Sequence, residues 1–197
     1  MSKILQAVIL GCVVALVISV GGGILLGMIG DTNPFGATTA GVGLGLFSAF
    51  IFANLSGNRR IANASDADKA AVLSRQPPPG KALLFIYREG YVAKLAGMNL
   101  MVDDKAVAQL KAPRFTCIVV PAGHHVISAK FGGMVSAQSL VGECALDVAA
   151  DSAAAVRIGV RMTFGRNGID MAPQADVAAA RAHLAGLPMT PPDLAEI

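Results

Sequence analysis

The chain has 197 residues, of which 54% are hydrophobic and 15% charged, with a net charge of +3. Because an ordinary soluble domain is about 25% charged, this composition indicates a membrane protein. The interspersed charges, the aromatic content of 5% and the lack of tryptophan argue against a nucleic-acid binder, which needs a basic stripe or base-stacking side chains.

Residues 1–57 predict a transmembrane helical hairpin. No charged side chain occurs from Ile4 through Gly30, or from Thr32 through Asn58. A spanning helix needs about 20 residues, which places the helices at about 4–29 and 37–55. Asn33-Pro34 and Gly36 predict a tight turn between them, at 31–36.

The first helix is not predicted to be cleaved or lipidated. Signal-peptide cores run about 7 to 15 residues, which is shorter than this segment. Ile9-Leu10-Gly11-Cys12 resembles a lipobox, but the apolar run continues past Cys12 through Val20.

Glycine pairs spaced four residues apart predict close helix packing. Gly23 pairs with Gly27, and Gly41 with Gly45. Small residues let backbones approach closely where lipid offers no hydrophobic drive. Two interpretations stay open: these faces pack the hairpin on itself, or one face docks onto another membrane subunit. The spans contain no Asp, Glu, His, Lys or Arg, which argues against a transporter or pump.

The charges flanking the helices predict their orientation. Lys3 precedes the first helix, Arg59 and Arg60 follow the second, and the turn contains only Asp31. Both termini are therefore predicted to be cytoplasmic.

Residues 58–80 predict a linker. Ser65 as an N-cap, followed by Asp66 and Asp68, predicts a short helix over 66–75. The run Gln76–Gly80 contains three prolines, which stiffen the chain into an extended spacer. The following domain is thus expected to be held a short distance off the membrane.

Residues 81–165 predict a β-sandwich, because short apolar runs alternate with turn signals. Asp103-Asp104 predicts a tight hairpin turn, since Asp tolerates positive φ, and Pro121-Ala122-Gly123 predicts the next turn. About seven antiparallel strands are expected, at Ala82–Arg88, Asn99–Val102, Ala106–Leu110, Phe115–Val120, His125–Phe131, Cys144–Val148 and Ala154–Met162.

Residues 166–197 predict a short helix and an extended tail. Pro173 suits the first turn of the helix and Gly186 its end. Its packing face is expected to consist of Ala175, Ala178, Ala179 and Ala182. The tail Leu187–Ile197 contains three prolines and is predicted to be a frayed terminus, the alternative being a docking peptide.

Three motifs between residues 81 and 165 resemble a bacterial family known as domain of unknown function 2846. They are a strand ending in Tyr87-Arg88, a turn at Val102-Asp103-Asp104-Lys105, and a turn and strand over Pro121–Ala129 that contains Gly123 and His125. Asp104 departs from the family's glycine. The resemblance implies a small β-sandwich in a bacterial protein and lends no chemistry. Many relatives are secreted or lipid-anchored, unlike the cytoplasmic domain expected here.

The reactive residue types do not form a recognisable catalytic or metal site. His124 and His125 are adjacent on a strand and point to opposite faces, whereas zinc needs three or four convergent ligands. His125 is expected to hydrogen-bond the Pro-Gly turn instead. Cys117 lies in an apolar strand, without the electropositive setting of a nucleophile. Cys117 and Cys144 are expected to be buried free thiols, with a disulfide between them left open.

The sequence thus predicts no enzyme, no metal and no cofactor. The expected function is that of a non-catalytic accessory or scaffolding subunit of a larger inner-membrane assembly; its partners would be membrane lipid and other membrane subunits or further copies of itself, and not nucleic acid. The alternative is a tethered module that binds a small ligand or peptide. Tyr87, Arg88 and His124 are candidate interaction residues; a packed Tyr87 with a solvated Arg88 is the other reading.

Overall fold

A computed structural model describes residues 3–30, 34–133, 139–163 and 166–197. The chain divides into two compact units, Met1–Ser56 and Gly57–Ile197. The predicted turn at Asp31-Thr32-Asn33 lies outside the described residues.

The first unit contains two apolar helices, α1 (Lys3–Met28) and α2 (Pro34–Leu55). Both are long and apolar enough to cross a membrane. Only 6% of the apolar window in α1 and 17% of that in α2 are buried, so they are not core helices of a globular unit. α2 begins at Pro34 rather than at the predicted residue 37, because proline's fixed φ suits a first helical position.

The first residues of the linker bind to the second unit. The amide of Gln109 donates to the Gly57 carbonyl, at 2.9 Å, and accepts from the Arg59 amide, at 2.7 Å. Farther on, the Ala64 amide donates to the Met189 carbonyl. Helix α3 (Asp66–Ser74) follows, with Ser65 as its predicted N-cap.

The second unit is a β-sandwich with a short C-terminal helix, which confirms the predicted fold class. Its strands form two sheets in the orders β4-β1-β7-β8 and β3-β2-β5-β6. The pairs are antiparallel except for β1 and β7, which run parallel. The described strands are β1 (Lys81–Arg88), β2 (Met98–Val102), β3 (Lys105–Leu110), β4 (Arg114–Pro121), β5 (Gly123–Phe131), β6 (Gly142–Val148), β7 (Ala153–Thr163) and β8 (Arg166–Pro173).

Two predictions about the C-terminal region were wrong. Residues 166–173 form strand β8, which was not predicted, so the described strands number eight rather than about seven, and Pro173 ends that strand instead of beginning the helix. Helix α4 (Val177–Leu184) begins after the N-cap Asp176. It packs through Ala180 and Leu184, which share a face at i, i+4, whereas the alanines predicted to pack are exposed.

Strand β1 is buried on both faces because two apolar clusters flank it. One lies between the sheets and includes Leu84 and Ile86. The other includes Leu83, Phe85 and Tyr87, packed with residues of α3 and α4. Both helices therefore lie on the outer face of the first sheet.

The C-terminal tail is bound and not frayed. The Phe115 amide donates to the Pro188 carbonyl, and Thr190 donates back to Phe115 at 2.8 Å. Farther along, the Asp193 amide donates to Val107 of β3, and Ile197 donates to Val119 of β4. The tail thus lies along the edge strands of both sheets, where it satisfies backbone groups that would otherwise template aggregation.

Candidate functional site

Two of the four glycines predicted to pack helices lie in the contact between α1 and α2. A Cβ on Gly41 would come within 2.7 Å of the Ala15 carbonyl oxygen, and one on Gly45 within 2.5 Å of the Gly11 carbonyl oxygen. The backbones meet there with only the small side chains of Ala15 and Ser19 beside them, as is typical of small-residue packing in membranes. We call this contact the glycine seam; its buried small residues on α2 are Ala37, Gly41, Gly45 and Ala53.

The other two glycines lie outside the seam, so of the two interpretations only docking onto another subunit stays open for Gly23 and Gly27. A Cβ on Gly23 or Gly27 would meet no described atom within 4 Å. The seam on α1 uses Gly11, Ala15 and Gly22 instead. Gly23 and Gly27 are i, i+4 neighbours and so share a second face of α1, which the seam leaves open.

Tyr87 and Arg88 are not a surface recognition point. Tyr87 is 4% exposed, and its ring lies 5.9 Å from that of His183. Arg88 is fully buried, which also overturns the alternative of a packed tyrosine beside a solvated arginine. The tyrosine faces the helices, and the arginine reaches across to the second sheet.

The Arg88 guanidinium is held by backbone carbonyls. It donates to Ala96 at 2.6 Å, to Ala93 at 2.7 Å and to Leu110 at 3.2 Å, and it stacks on Phe131 with 5.0 Å to the ring centroid. Burial lowers its pKa to about 10, so it stays charged at neutral pH. Since Ala93 and Ala96 belong to the segment between β1 and β2, this cation fixes the loop at 89–97.

His124 is exposed, in agreement with its candidacy for interaction. It lies on β5, and its Nδ1 is 2.9 Å from an Asp147 carboxylate oxygen on β6. Both side chains are largely solvated, so the pair adds little to stability.

His125 is buried and joins two turns. Its Nε2 lies 2.9 Å from the Pro121 carbonyl oxygen, which is the predicted bond to the Pro-Gly turn, and its Nδ1 lies 2.6 Å from the Asp103 carboxylate. Both partners are acceptors, so the protonated imidazolium satisfies both. Asp103 has the predicted positive φ, at 49°, and its other oxygen accepts from the Val126 amide.

These contacts shift the pKa of both partners. Burial lowers the pKa of His125, but its bonds to Asp103 and Pro121 and the carboxylate charge outweigh that effect and raise it above the ordinary value. Burial raises the pKa of Asp103, while its bonds to His125 and the Val126 amide, with the nearby positive charges, outweigh that effect and lower it. The folded state therefore favours the charged pair.

The buried cysteines are free thiols in the structure. Burial raises the pKa of Cys117 to about 12 and also raises that of Cys144. Neither is thus a thiolate at neutral pH, which a nucleophile requires. Across the described ranges, no group of three His, Cys, Asp or Glu side chains is placed to hold a metal.

Sequence reasoning missed two features with functional consequences. Gln109, which is 4% exposed, binds the linker, and an isolated glutamine in a strand carries no signal of that role. The loop at 89–97 exposes Tyr91 and Leu95, and its apolar residues were available as a signal.

No protein-family model matches the chain. No curated protein matches it either. The function is therefore inferred from the molecule's own features, chiefly the glycine seam, the open Gly23–Gly27 face and the loop that Arg88 fixes.

Proposed function

We propose that the chain is a non-catalytic accessory subunit of a larger inner-membrane assembly, inserted as a two-pass hairpin with both termini in the cytoplasm. The observation that supports this best is the Gly23–Gly27 face. Glycine inside a helix costs roughly 0.5–1 kcal/mol relative to alanine. Gly23 and Gly27 do not offset this cost by packing in the seam. A second helix that packs closely on this face would offset the cost of the two glycines.

The β domain supports a scaffolding role rather than catalysis. Its buried polar groups serve its own architecture: Arg88 binds carbonyls, Gln109 binds the linker, and His125 joins two turns. The thiols are held neutral by burial. These buried groups thus bind the domain's own backbone, linker and turns.

Mild detergent extraction followed by native mass measurement tests this proposal. The wild-type chain is expected to retain a partner or a second copy, and Gly23→Leu with Gly27→Leu is expected to lose it. Ile24→Leu is the matched control, because Ile24 is exposed on the same helix and keeps its bulk. A wild-type chain extracted as a lone monomer would overturn the proposal.

A tethered binding module is the second candidate. The tail lies along β3 and β4. Among the described residues it makes no backbone bond to β6 or β8, the last strands of the two sheets, which contact each other where Gly142 meets Ile169. An extended peptide binds by adding a strand to such an edge. Retention of the partner by the double glycine variant, together with slowed amide exchange in β6 or β8 on binding, would favour this candidate.

A further inference from the structure

The loops at one end of the β domain share a surface that includes the start of the linker. Strand β1 ends there at Arg88, opposite Arg114 and Ile158, and β2 begins there at Met98, opposite Leu110 and Phe131. We call this the linker end; its described loop segments are 89–97, 111–113, 132–133 and 139–141, together with the end of β7.

The chain joins the domain at this end. Asn58 donates to the Leu95 carbonyl at 2.7 Å, and Gly57 packs against the backbone of Gly132 and Gly133. Only Ser56 and Gly57 separate Asn58 from Leu55, the last residue of α2, so the two Cα atoms lie at most about 11 Å apart. If α2 crosses a bilayer, chain length alone keeps Leu95 near the lipid headgroups.

Exposed apolar side chains are concentrated at the linker end. Tyr91 is 90% exposed, Met162 73% and Leu95 66%, while Leu140 and Val141 are exposed by half or more. Among the described residues of the β domain, the other large apolar side chains in the exposed class are Val126 and Leu194, at 41% and 37%. Soluble surfaces rarely gather such residues without a binding role.

Charge divides the domain in the same way. The linker end has basic side chains around the apolar ones, including Lys94, which lies 5.8 Å from the Tyr91 ring centroid. Its described acidic residues are Glu89, bound by His183, Asp170, ion-paired with Arg161, and Glu143. The basic residues there are Arg60, Lys94, Lys111, Arg114, Lys130 and Arg161, whereas the opposite end has Asp103, Asp104, Asp147, Asp151 and Glu196 against Lys81 and Lys105.

We propose that the linker end of the β domain binds the surface of an anionic lipid bilayer through Tyr91, Leu95 and Met162, with the surrounding lysines and arginines on the phosphates. This inference rests on the proposed membrane insertion. Tyrosine is enriched at membrane interfaces, and basic residues near the cytoplasmic leaflet are attracted to its anionic lipids. Arg88 holds the loop in shape from beneath, so little ordering is required on binding.

Tryptophan fluorescence tests the proposal, because the chain contains no tryptophan. Tyr91→Trp, Val126→Trp and Phe47→Trp each introduce a single reporter, at the linker end, on the opposite side of the domain and in α2. The full chain is placed in nanodiscs of phosphatidylcholine with or without phosphatidylglycerol. Quenching is measured with brominated lipid and with aqueous iodide.

In anionic nanodiscs, Tyr91→Trp is expected to be quenched by brominated lipid and shielded from iodide, while Val126→Trp stays open to iodide. Adding Lys94→Ala and Lys111→Ala is expected to lower the ratio of bound to free domain about tenfold or more, since each basic residue near the surface contributes about 1 kcal/mol. Equal iodide access for the Tyr91 and Val126 reporters would overturn the proposal.

The Phe47 reporter separates the two levels of inference. Quenching of Phe47→Trp by brominated lipid without quenching of Tyr91→Trp would overturn the proposal that the linker end binds lipid. It would leave the proposed membrane insertion of the hairpin unchanged. Quenching of neither would overturn both. A Tyr91 reporter shielded in native membranes but open in pure-lipid nanodiscs would assign the surface to a protein partner and sink the lipid proposal.

Discussion

The hairpin and the β domain pack by opposite means. In the glycine seam the smallest residues make the contact, and large side chains such as Leu46 and Phe47 face outward. In the β domain Phe85, Phe115 and Phe131 are fully buried. Hydrocarbon does not penalise an exposed apolar side chain, so close backbone approach decides the contact in lipid, whereas burial of apolar surface decides it in water.

The same contrast applies to charge. The described spans of the hairpin contain no ionised side chain, but the β domain encloses the Arg88 guanidinium without a carboxylate partner. The enclosure is stable because three carbonyl groups and an aromatic ring lie within reach. The buried Arg88 therefore holds the loop at 89–97 in place, because backbone carbonyls surround its charge.

Replacing the buried cation should have the largest effect. Arg88→Leu leaves several carbonyls without donors, which should lower the free energy of unfolding by about 3–5 kcal/mol. Urea unfolding of the full chain in mild detergent, followed by circular dichroism of the sheets, measures this. Arg157→Leu is the control, because Arg157 is an exposed strand residue; a surface change costs at most about 0.5 kcal/mol. Equal stability of the two variants would contradict the assigned role.

Truncating a buried tail residue should have the next largest effect. Met189 is 5% exposed and packs with the cluster around Phe115, so Met189→Ala should cost about 2–4 kcal/mol in the same assay. Leu194→Ala, at a half-exposed position of the same tail, should cost clearly less. If Met189→Ala unfolds at the wild-type urea concentration, the tail is not part of the folded domain.

Local signals were enough for several elements. The uncharged runs predicted α1 and α2, and Ser65 was correctly predicted as the N-cap of α3. Asp103-Asp104 predicted the turn in which both residues have positive φ. The features missed depend on distant partners. The tail reads as polar and proline-rich, and its order comes from Phe115 and Val119, about 75 residues earlier in the chain.

The candidate site was harder to predict for the same reason. Arginine is almost never fully buried unless paired, so no local pattern predicts that Arg88 is enclosed. Its carbonyl partners are supplied by the backbone path of the loop at 89–97, which no residue type specifies. The glycine spacing showed that α1 and α2 contain packing faces, but not which of the faces meet each other.

Bulk in the glycine seam tests the hairpin side of the comparison. Gly41→Leu should separate α1 from α2 at an overpacking cost of about 1–3 kcal/mol. The readout is disulfide yield between Gly22→Cys and Ala37→Cys in a Cys12→Ser background, since the Cβ positions of Gly22 and Ala37 would lie 3.2 Å apart. Gly43→Leu is the control on the same helix, because a Cβ there would meet no described atom within 4 Å. A lower yield in both variants would rule out a specific seam.

The smallest expected effect is a pH dependence confined to the β domain. Folding raises the pKa of His125 above 6.5. The stability that His125 contributes to the folded domain is therefore complete below pH 6.5 and is lost as pH rises through the folded-state pKa. Folding lowers the pKa of Asp103 below 3.8. The stability that Asp103 contributes to the folded domain is therefore complete above pH 3.8 and is lost as pH falls through the folded-state pKa. The pair therefore stabilises the domain fully between pH 3.8 and 6.5.

Urea unfolding at a series of pH values should show stability falling as pH rises above 6.5, and His125→Gln should flatten that slope. His124→Gln is the matched control, because the adjacent histidine is solvated and its loss should leave the slope in place. A slope that survives in His125→Gln and disappears in His124→Gln would reverse the assignment.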